Sequence, residues 1–516
     1  MDSQEAPPSF ASWRALVVII AANFVTVVAT FMAMIGESAI RGGLELGEEE
    51  NTWISLSFLM AVALTVPLAS WLAKKKGCKS IFFWGTLFFY IGTGISGLAP
   101  NFWIMILSRL IGGVGAGAAF PNALKLISLS FSPRWNGMAV TLYIAGVFGM
   151  GLCSGLLFGG YVTEYQGWRA MFFLILTTAP LILPAIRCAL LESEPQALPP
   201  FDYLGTLFYL LFTGSVVLWL ANVQGPWNTE GLLSALSLFP LTIAGSSLCL
   251  WIWWEGQSPH PLFDFSLFRS AQFTMGNLAL FVVCFAFFST VSNLSAIMEN
   301  LLGYGKADAA LWLLLYGVAF TLSGAVSGLL ASRLGILPFA IVGMSLTAIS
   351  CFMQHAITIQ SGHNQYTLFQ LIRGSGLGLA LGPLTALSIR SLSPNQLGQG
   401  AVFVTLFRQL GAAIGGMVIA TLREVRFPFH WLRFSERVVP HSPPLIQEGD
   451  KVRSYLSQYA GHAPQKEGVD IAAVTESIDK QALLLATNDA YWVIGWAILL
   501  CMSGLIILSL KNKQAN

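Results

Sequence analysis

Apolar residues occur along this chain in long runs separated by short polar or Pro/Gly-rich breaks. A helix needs roughly 20 apolar residues to cross roughly 30 Å of hydrocarbon, and only a helix or a closed barrel satisfies its backbone polar groups inside a bilayer. The runs therefore predict an all-α integral membrane protein with about fourteen spans. The predicted spans cover residues 15–36, 51–73, 80–99, 101–124, 136–160, 168–190, 203–223, 232–254, 272–298, 308–331, 336–356, 366–390, 398–422 and 489–510.

Two segments of the chain repeat each other, Leu110–Pro133 and Leu371–Pro394. A shift of 261 residues aligns Gly113 with Gly374 and joins spans 4 and 5 to spans 12 and 13. The same shift superposes Gly115 on Gly376, Gly117 on Gly378 and Gly155 on Gly416. Because the copies are eight spans apart, the repeat predicts two related bundles of six helices with two helices inserted between them.

This arrangement divides the chain into five parts. They are an N-terminal tail (1–14), a first bundle (15–190), a linker with the two inserted helices (191–260), a second bundle (261–510) that contains a long hydrophilic loop (424–487), and a C-terminal tail (511–516).

Composition excludes most other classes of protein. The 516 residues are 55% hydrophobic and 10% charged, with a mean hydropathy of +0.68, which is more apolar surface than a soluble core of this size buries. The net charge of +2 is too small to indicate nucleic acid. No phosphate-binding loop and no metal-ligand spacing occur, and the histidines are dispersed. We therefore expect no enzyme activity, no cofactor and no metal.

Basic residues in the short loops predict the orientation in the membrane, because cytoplasmic loops carry an excess of Lys and Arg. Twelve basic residues fall on one side and three on the other, which predicts that both termini are cytoplasmic. The first group is Arg14, Lys74, Lys75, Lys76, Lys79, Arg134, Arg187, Arg269, Arg333, Arg390, Lys511 and Lys513, and the second is Arg41, Arg169 and Lys306.

Charged residues within predicted spans are the strongest candidates for function, since each costs at least about 2.5 kcal/mol and usually faces a partner or a wet cavity. Arg109, Arg373 and Arg408 lie in spans 4, 12 and 13. One interpretation is gating, relay or a polar cavity. The other is an arginine that ties two helices together through hydrogen bonds to carbonyl groups. The sequence leaves both open.

Carboxylates that could carry protons are scarce within the spans. Glu37 and Glu299 lie near the outer ends of spans 1 and 9, and these two are the candidates for the titrating group. Asp202 and Asp308 stand at span entrances, where helix N-capping is the expected role. Amides that could line a cavity or bond between helices are Asn23, Asn122, Asn277 and Asn293.

Several motifs resemble those of one transporter family. Residues 52–77, TWISLSFLMAVALTVPLASWLAKKKG, resemble its second span and the basic loop that follows. Arg109 followed by Gly113 resembles its span-4 pattern, and Gly155 its span-5 pattern. Later segments are typical of the 14-span members: FDYLG at Phe201–Gly205, PLFDFSLFR at Pro261–Arg269 and LFRQLGAAIGG at Leu406–Gly416.

The family that these residues resemble is the major facilitator superfamily, in its 14-span drug:proton antiporter branch, which is similar to the inner-membrane pumps of tripartite efflux systems. The resemblance implies two six-helix bundles, a proton-relay role for Arg109 and conformational roles for Gly113, Gly155, Gly77 and Lys75. Members of the branch often work with a periplasmic adaptor.

The chain also departs from the family pattern. Many members have an acid in the middle of span 1, where this chain has Ala29, and the nearest acid is Glu37, about two helical turns further on. The usual aspartate of the basic loop is Lys74. These departures concern the coupling of transport to protons and leave the fold unaffected.

We expect a secondary exporter of amphipathic small molecules in the bacterial inner membrane, driven by proton antiport and working by alternating access. Export of an endogenous metabolite such as a siderophore is an alternative, motivated by the altered span 1. An alternative of another class is a transport-inactive sensor or assembly partner.

Overall fold

Fourteen helices in the computed structural model are long and apolar enough to cross a membrane, as the hydropathy pattern predicts. The structure describes residues 8–193, 200–224, 234–258, 261, 263–296, 306–355, 357–358, 363–390, 392–393, 396–436 and 466–515. The helices are α1 (Phe10–Ile35), α2 (Glu48–Lys76), α3 (Cys78–Leu98), α4 (Phe102–Ser130), α5 (Pro133–Tyr165), α6 (Trp168–Ala189), α7 (Tyr203–Gln224), α8 (Ala235–Glu255), α9 (Ala271–Ala296), α10 (Lys306–Leu334), α11 (Leu337–Gln354), α12 (His363–Arg390), α13 (Leu397–Ser435) and α14 (Lys466–Ala515). Within these ranges the chain forms no strand.

An even number of crossings brings the start of α1 and the end of α14 to the same side of the molecule. We call this side the terminal face and the opposite side the distal face. Helices α1 to α6 form the first half and α9 to α14 the second half, while α7 and α8 are the inserted pair. The inserted pair packs mainly as a hairpin and contacts α2 and α13.

The last two spans are longer than hydropathy predicts. Residues 424–435 and 466–487, which the sequence assigns to the long loop, continue α13 and α14 as helix beyond the apolar stretch. Two side chains of α13 reach one carboxylate of α14, with Arg426 Nε 2.6 Å and His430 Nε2 2.8 Å from Asp489 Oδ2. Trp431 Nε1 also donates to Asp479 Oδ1 at 2.8 Å. These polar contacts between α13 and α14 stabilise the parts of the two helices that extend beyond their apolar stretches.

The internal repeat appears in the structure as matching close contacts between helices. A methyl group at Gly113 of α4 would lie 2.5 Å from the carbonyl oxygen of Phe58 on α2. A methyl group at Gly374 of α12 would overlap the carbonyl oxygen of Tyr316 on α10. Glycine at these positions lets two backbones approach closely, so each half contains the same crossing.

One predicted equivalence of the repeat is wrong by one residue. Gly155 on α5 lies against Val28 of α1, where an added Cβ would be 2.9 Å from the carbonyl oxygen. The corresponding contact of α13 is made by Gly415 against Phe285 of α9, whereas Gly416 faces open space. The physical reason is a π-helical turn in α5 at Ala145–Gly149, since such a turn inserts one residue into an α-helix.

The two halves touch at both faces. Near the distal face, the rings of Phe31 on α1 and Phe288 on α9 stack with 5.9 Å between centroids. At the terminal face, Ser70 Oγ of α2 donates to the carbonyl oxygen of Gly398 on α13 at 3.4 Å. Between these contacts α5 packs on α10 and α12, and α13 packs on α2 and α4. The interface between the halves therefore runs the length of the molecule.

Candidate functional site

Arg408 occupies the middle of the interface between the halves. It lies eleven residues into α13, about 17 Å from the terminal end of that helix at 1.5 Å per residue, and only 2% of it is exposed. Its guanidinium carbon is 4.7 Å from the ring centroid of Phe148 on α5 and 5.5 Å from that of Phe120 on α4. A cation from the second half thus sits on two aromatic rings of the first half, a favourable arrangement in a desolvated site.

Polar groups of the first half complete this site. Asn23 Nδ2 of α1 donates to the hydroxyl oxygen of Tyr143 on α5 at 2.8 Å, and both residues are buried. Tyr143 also lies within electrostatic range of Arg408. We call Asn23, Phe120, Tyr143, Phe148 and Arg408 the central cluster. Among the residues that the structure describes, Arg408 forms no ion pair, so the cluster holds its cation with dipoles and ring faces.

Arg109 lies in a separate small chamber in the first half. It is seven residues into α4, about 10 Å from the distal end of that helix, with its guanidinium carbon 4.8 Å from the ring centroid of Phe172 on α6. A cavity of about 10 Å³ beside it is close to the size that accommodates one water molecule. The polar residues lining the chamber are Thr30, Thr93, Ser96, Ser108 and Arg109.

Glu37 supplies negative charge to this chamber. It begins a short helix, Glu37–Gly43, directly after α1, and its carboxylate attracts the Arg109 guanidinium electrostatically. Ala29, at the position where many family members have an acid, lines the same chamber. Two sequence candidates, Glu37 and Arg109, therefore lie within electrostatic range of each other.

Arg373 has a different environment, within the second half. It is fully buried, and its guanidinium donates to Ser350 Oγ and Ser350 O at 3.2 Å and to Gln354 Oε1 at 3.3 Å on α11. Its carbon also lies 4.2 Å from the ring centroid of Tyr491 on α14. Arg373 thus ties α11, α12 and α14 together, which is the packing interpretation that the sequence left open.

The remaining candidates do not join the central cluster. Asn122 is buried but donates to the carbonyl oxygen of Ala118 on its own helix at 2.8 Å. Asp308 is exposed in the first turn of α10. Glu299 and the side chain of Asn293 lie outside the described residues. Among the residues that are described, no group of His, Cys, Asp and Glu could hold a metal ion.

Comparison with known protein families shows to which family the chain belongs. The sequence profile of the Major Facilitator Superfamily matches residues 15–416. The chain belongs to the major facilitator superfamily. This family consists of membrane transporters.

Relatives of this major facilitator chain match it nearly end to end. The multidrug export protein EmrB of Escherichia coli (strain K12) is 24% identical and the alignment covers 94% of this chain and 93% of that protein. The fatty acid resistance protein FarB of Neisseria gonorrhoeae is 25% identical over 91% of this chain and 90% of that protein. The crystal structure of the human organic anion transporter MFSD10 has a TM-score of 0.60 at 13% identity, covering 96% of this chain and 100% of that one, and shares the fold.

The basic loop of this major facilitator chain is a tight turn between α2 and α3. Gly77 has a φ of +88°, a conformation that glycine adopts without strain, and any Cβ there would overlap the Glu192 carboxylate. That carboxylate accepts hydrogen bonds from Lys79 N at 2.9 Å and Ser80 N at 3.1 Å, so it caps α3. Lys75 is exposed. Gly77 therefore shapes a contact between α3 and the segment after α6.

Sequence reasoning missed three groups of polar residues in this major facilitator chain. Tyr143 carried a usable signal, because a phenol in the middle of an apolar span needs a hydrogen-bond partner. No local sequence motif marks Glu192, which caps α3, or Asp489, which pairs with α13. Their hydrogen-bond partners are more than 50 residues away in the chain. Only the tertiary structure brings them together.

Proposed function

We propose that this protein is a secondary active exporter of amphipathic small molecules, driven by proton antiport and working by alternating access between its two halves. Similarity to EmrB and FarB over more than nine tenths of the chain supports this proposal, as does membership of the superfamily.

The observation that carries the proposal is the position of Arg408. A guanidinium of the second half is buried among rings and a phenol of the first half, and a buried cation without an anionic partner is costly. Rocking of one half against the other changes the surroundings of this cation more than those of any residue packed within one half. The central cluster can therefore differ in free energy between the inward and outward states and can respond to a substrate that binds there.

Coupling to protons is assigned to the Arg109 chamber in this proposal. The attraction between Glu37 and Arg109 gives a carboxylate whose proton affinity depends on whether the guanidinium stays beside it. A change in that distance during transport would bind or release a proton. Glu299 remains a second candidate for the titrating group.

The proposal places the protein in the bacterial inner membrane with both termini in the cytoplasm, as the excess of basic residues on the terminal face supports. The distal face would then be periplasmic. There α13 and α14 extend past the apolar stretch and are joined by Arg426, His430 and Asp489. This helical projection is the part of the molecule we propose for contact with a periplasmic adaptor.

Arg408→Gln and Arg408→Lys test the proposal in proteoliposomes loaded with a fluorescent amphipathic cation and energised by a pH gradient. We expect Arg408→Gln to lower the transport rate about tenfold or more, equivalent to about 1.4 kcal/mol, while the melting temperature stays the same or rises because a buried charge has been removed. Arg408→Lys should retain part of the rate.

Arg333→Gln is the matched control, because Arg333 is an exposed arginine at the terminal end of α10. It should transport at the normal rate. Normal transport by Arg408→Gln would contradict the role of the central cluster, and no gradient-driven flux by the unaltered protein over a broad panel of compounds would contradict the proposed function itself.

A further inference from the structure

A large apolar cavity lies away from the central cluster, on the side of the molecule where the inserted pair packs. Its volume is about 580 Å³, within the range of sites that bind drug-sized molecules. Helices α2, α7, α8 and α13 and the short 3₁₀ helix Phe265–Arg269 line it. We call it the lateral pocket. Arg408 does not line it, although Phe407 and Gln409 do.

The lining of the lateral pocket is almost entirely hydrocarbon. Its rings belong to Tyr209, Phe212, Trp251, Phe265, Phe268, Phe403 and Phe407. Two of its hydroxyls are already engaged, because Tyr209 donates to the carbonyl oxygen of Ala63 at 2.5 Å and Thr213 hydrogen-bonds to Tyr209. Among the described lining residues none is charged. The amide of Gln409 is then the polar group that remains for a ligand. A pocket with so few polar groups binds the hydrocarbon chain of an amphiphile better than its charged head group.

The length of the lateral pocket matches one leaflet of a bilayer. Along α13 it runs from Phe403 to Ala413 and along α7 from Tyr209 to Leu220, which is about 15 Å at 1.5 Å per residue. The hydrocarbon core of a bilayer is roughly 30 Å thick, so the pocket spans about half of it. Because Phe403 and Tyr209 each lie six residues, about 9 Å, from the terminal-face end of their helices, the pocket begins in the terminal-face leaflet and extends past the middle of the bilayer.

The pocket has a route to the bilayer. Ile252 of α8 lines it and is 47% exposed on a helix that presents other large apolar side chains to lipid, including Leu250 and Trp253. A hydrocarbon chain can pass this point without crossing water, and its transfer from lipid to an apolar pocket costs little since both surroundings are equally apolar.

We propose that the lateral pocket binds the hydrocarbon chain of a single-chain amphiphile taken from the terminal-face leaflet. The choice of a single-chain amphiphile over a resident phospholipid rests on the proposed function. Residues of both halves, Leu59 on α2 and Phe407 on α13, line the pocket, so a movement of one half against the other reshapes it. A bound chain is therefore held in one state of the transporter and displaced in the other.

Photolabelling of the purified protein in proteoliposomes tests this proposal. The probes are a C16 fatty acid with a diazirine near its methyl end and a phosphatidylcholine that carries the same chain. We expect an excess of unlabelled fatty acid to compete, and we expect the fatty-acid probe to label only pocket-lining residues, which are Thr213, Val216, Val217 and Leu220 of α7 and Leu406, Phe407 and Leu410 of α13. Peptide mass spectrometry locates the label.

Two neighbouring residues of α7 give a matched pair of variants. Val217 lines the pocket and is buried, while Leu218 is 48% exposed and faces lipid. Val217→Trp should lower labelling about tenfold, because the indole occupies the space of the chain, and Leu218→Trp should leave it unchanged. If Val217→Trp does not fold, the positions of the labelled residues in the unaltered protein decide whether the pocket binds the chain.

The outcomes separate the pocket from the proposed function. Competed labelling within the pocket without any gradient-driven transport would leave the binding site standing and overturn the proposed exporter. Label spread over the lipid-facing residues Leu207, Leu211 and Leu218 would overturn the pocket. If only the phosphatidylcholine probe labelled the pocket, its occupant would be a resident lipid and not a transported amphiphile, and this assignment would be overturned.

Discussion

Arg109, Arg373 and Arg408 would each cost a similar free energy as charges within a membrane span, but the structure gives them three different environments. Arg373 is bonded to Ser350 and Gln354 within the second half, Arg109 is attracted by Glu37 at the distal end of the first half, and Arg408 lies on rings of the opposite half. Hydrogen bonds within a bundle stabilise one packing arrangement in every state. A contact between halves differs from state to state, so Arg408 is the arginine whose replacement separates transport from stability.

The Glu37 and Arg109 pair leads to a prediction about coupling. Glu37→Gln and Arg109→Gln should each abolish the stimulation of transport by a pH gradient, and the double variant should lose no more than either single variant, because residues that act as a unit are not additive. Measurement of transport with and without the gradient checks this in proteoliposomes.

Glu45→Gln serves as the control for that experiment, since Glu45 is an exposed carboxylate on the same face. It should retain full stimulation. If Glu37→Gln retained it as well, the titrating group would have to be sought elsewhere, with Glu299 the first candidate.

At the scale of helices, the repeated glycines act through the crossings they allow. Gly113 and Gly374 lie at equivalent crossings of α4 on α2 and of α12 on α10, whereas the equivalent of Gly155 is displaced by the π-turn Ala145–Gly149. A one-residue insertion turns the helix that follows by roughly 100° at 3.6 residues per turn unless a π-turn absorbs it. The π-turn therefore keeps the glycine face of α5 against α1.

Gly113→Ala should destabilise the protein and slow transport, because its methyl group would lie 2.5 Å from the Phe58 carbonyl oxygen and 2.6 Å from Ala61 Cβ. Gly245→Ala is the matched control, since Gly245 lies within α8 with no atom from outside its own helix within 4 Å of the added methyl. That change should leave transport intact and raise stability by about 0.5–1 kcal/mol, the ordinary preference for Ala in a helix. Thermal unfolding in detergent measures both. Equal melting temperatures for the two variants would argue against tight crossings.

For the whole molecule, the feature of most consequence is that the halves touch at both faces. Phe31 and Phe288 stack near the distal face, and Ser70 bonds to Gly398 at the terminal face. Alternating access requires that these two sets of contacts break in turn. A covalent link between the two halves should therefore stop transport without disturbing either half.

Gly317→Cys offers such a link with a native partner, because a Cβ at Gly317 of α10 would lie 2.5 Å from Cys153 Sγ of α5. Oxidation should form a disulfide and halt transport, and a reductant should restore it. Gly317→Cys combined with Cys153→Ser cannot form the bond and should transport whether or not it is oxidised. Transport by the fully cross-linked protein would exclude movement of α10 against α5. A gel shift after proteolysis between the halves verifies the bond.

The sequence alone determined the number of spans, the six, two and six organisation, the family resemblance and the buried arginines. These follow from local quantities: apolar length against bilayer thickness, spacing within a helix and the cost of charge in a membrane.

Tertiary structure decided which arginine faces the opposite half, that Glu37 lies within electrostatic range of Arg109, that α13 and α14 extend past their apolar stretches, and that the inserted pair helps to line a lateral pocket. Each of these depends on the rotation of helices about their axes and on contacts between residues far apart in the chain, such as Phe148 with Arg408. Hydropathy does not specify rotation, because a helix surrounded by lipid and other helices is apolar on nearly all sides.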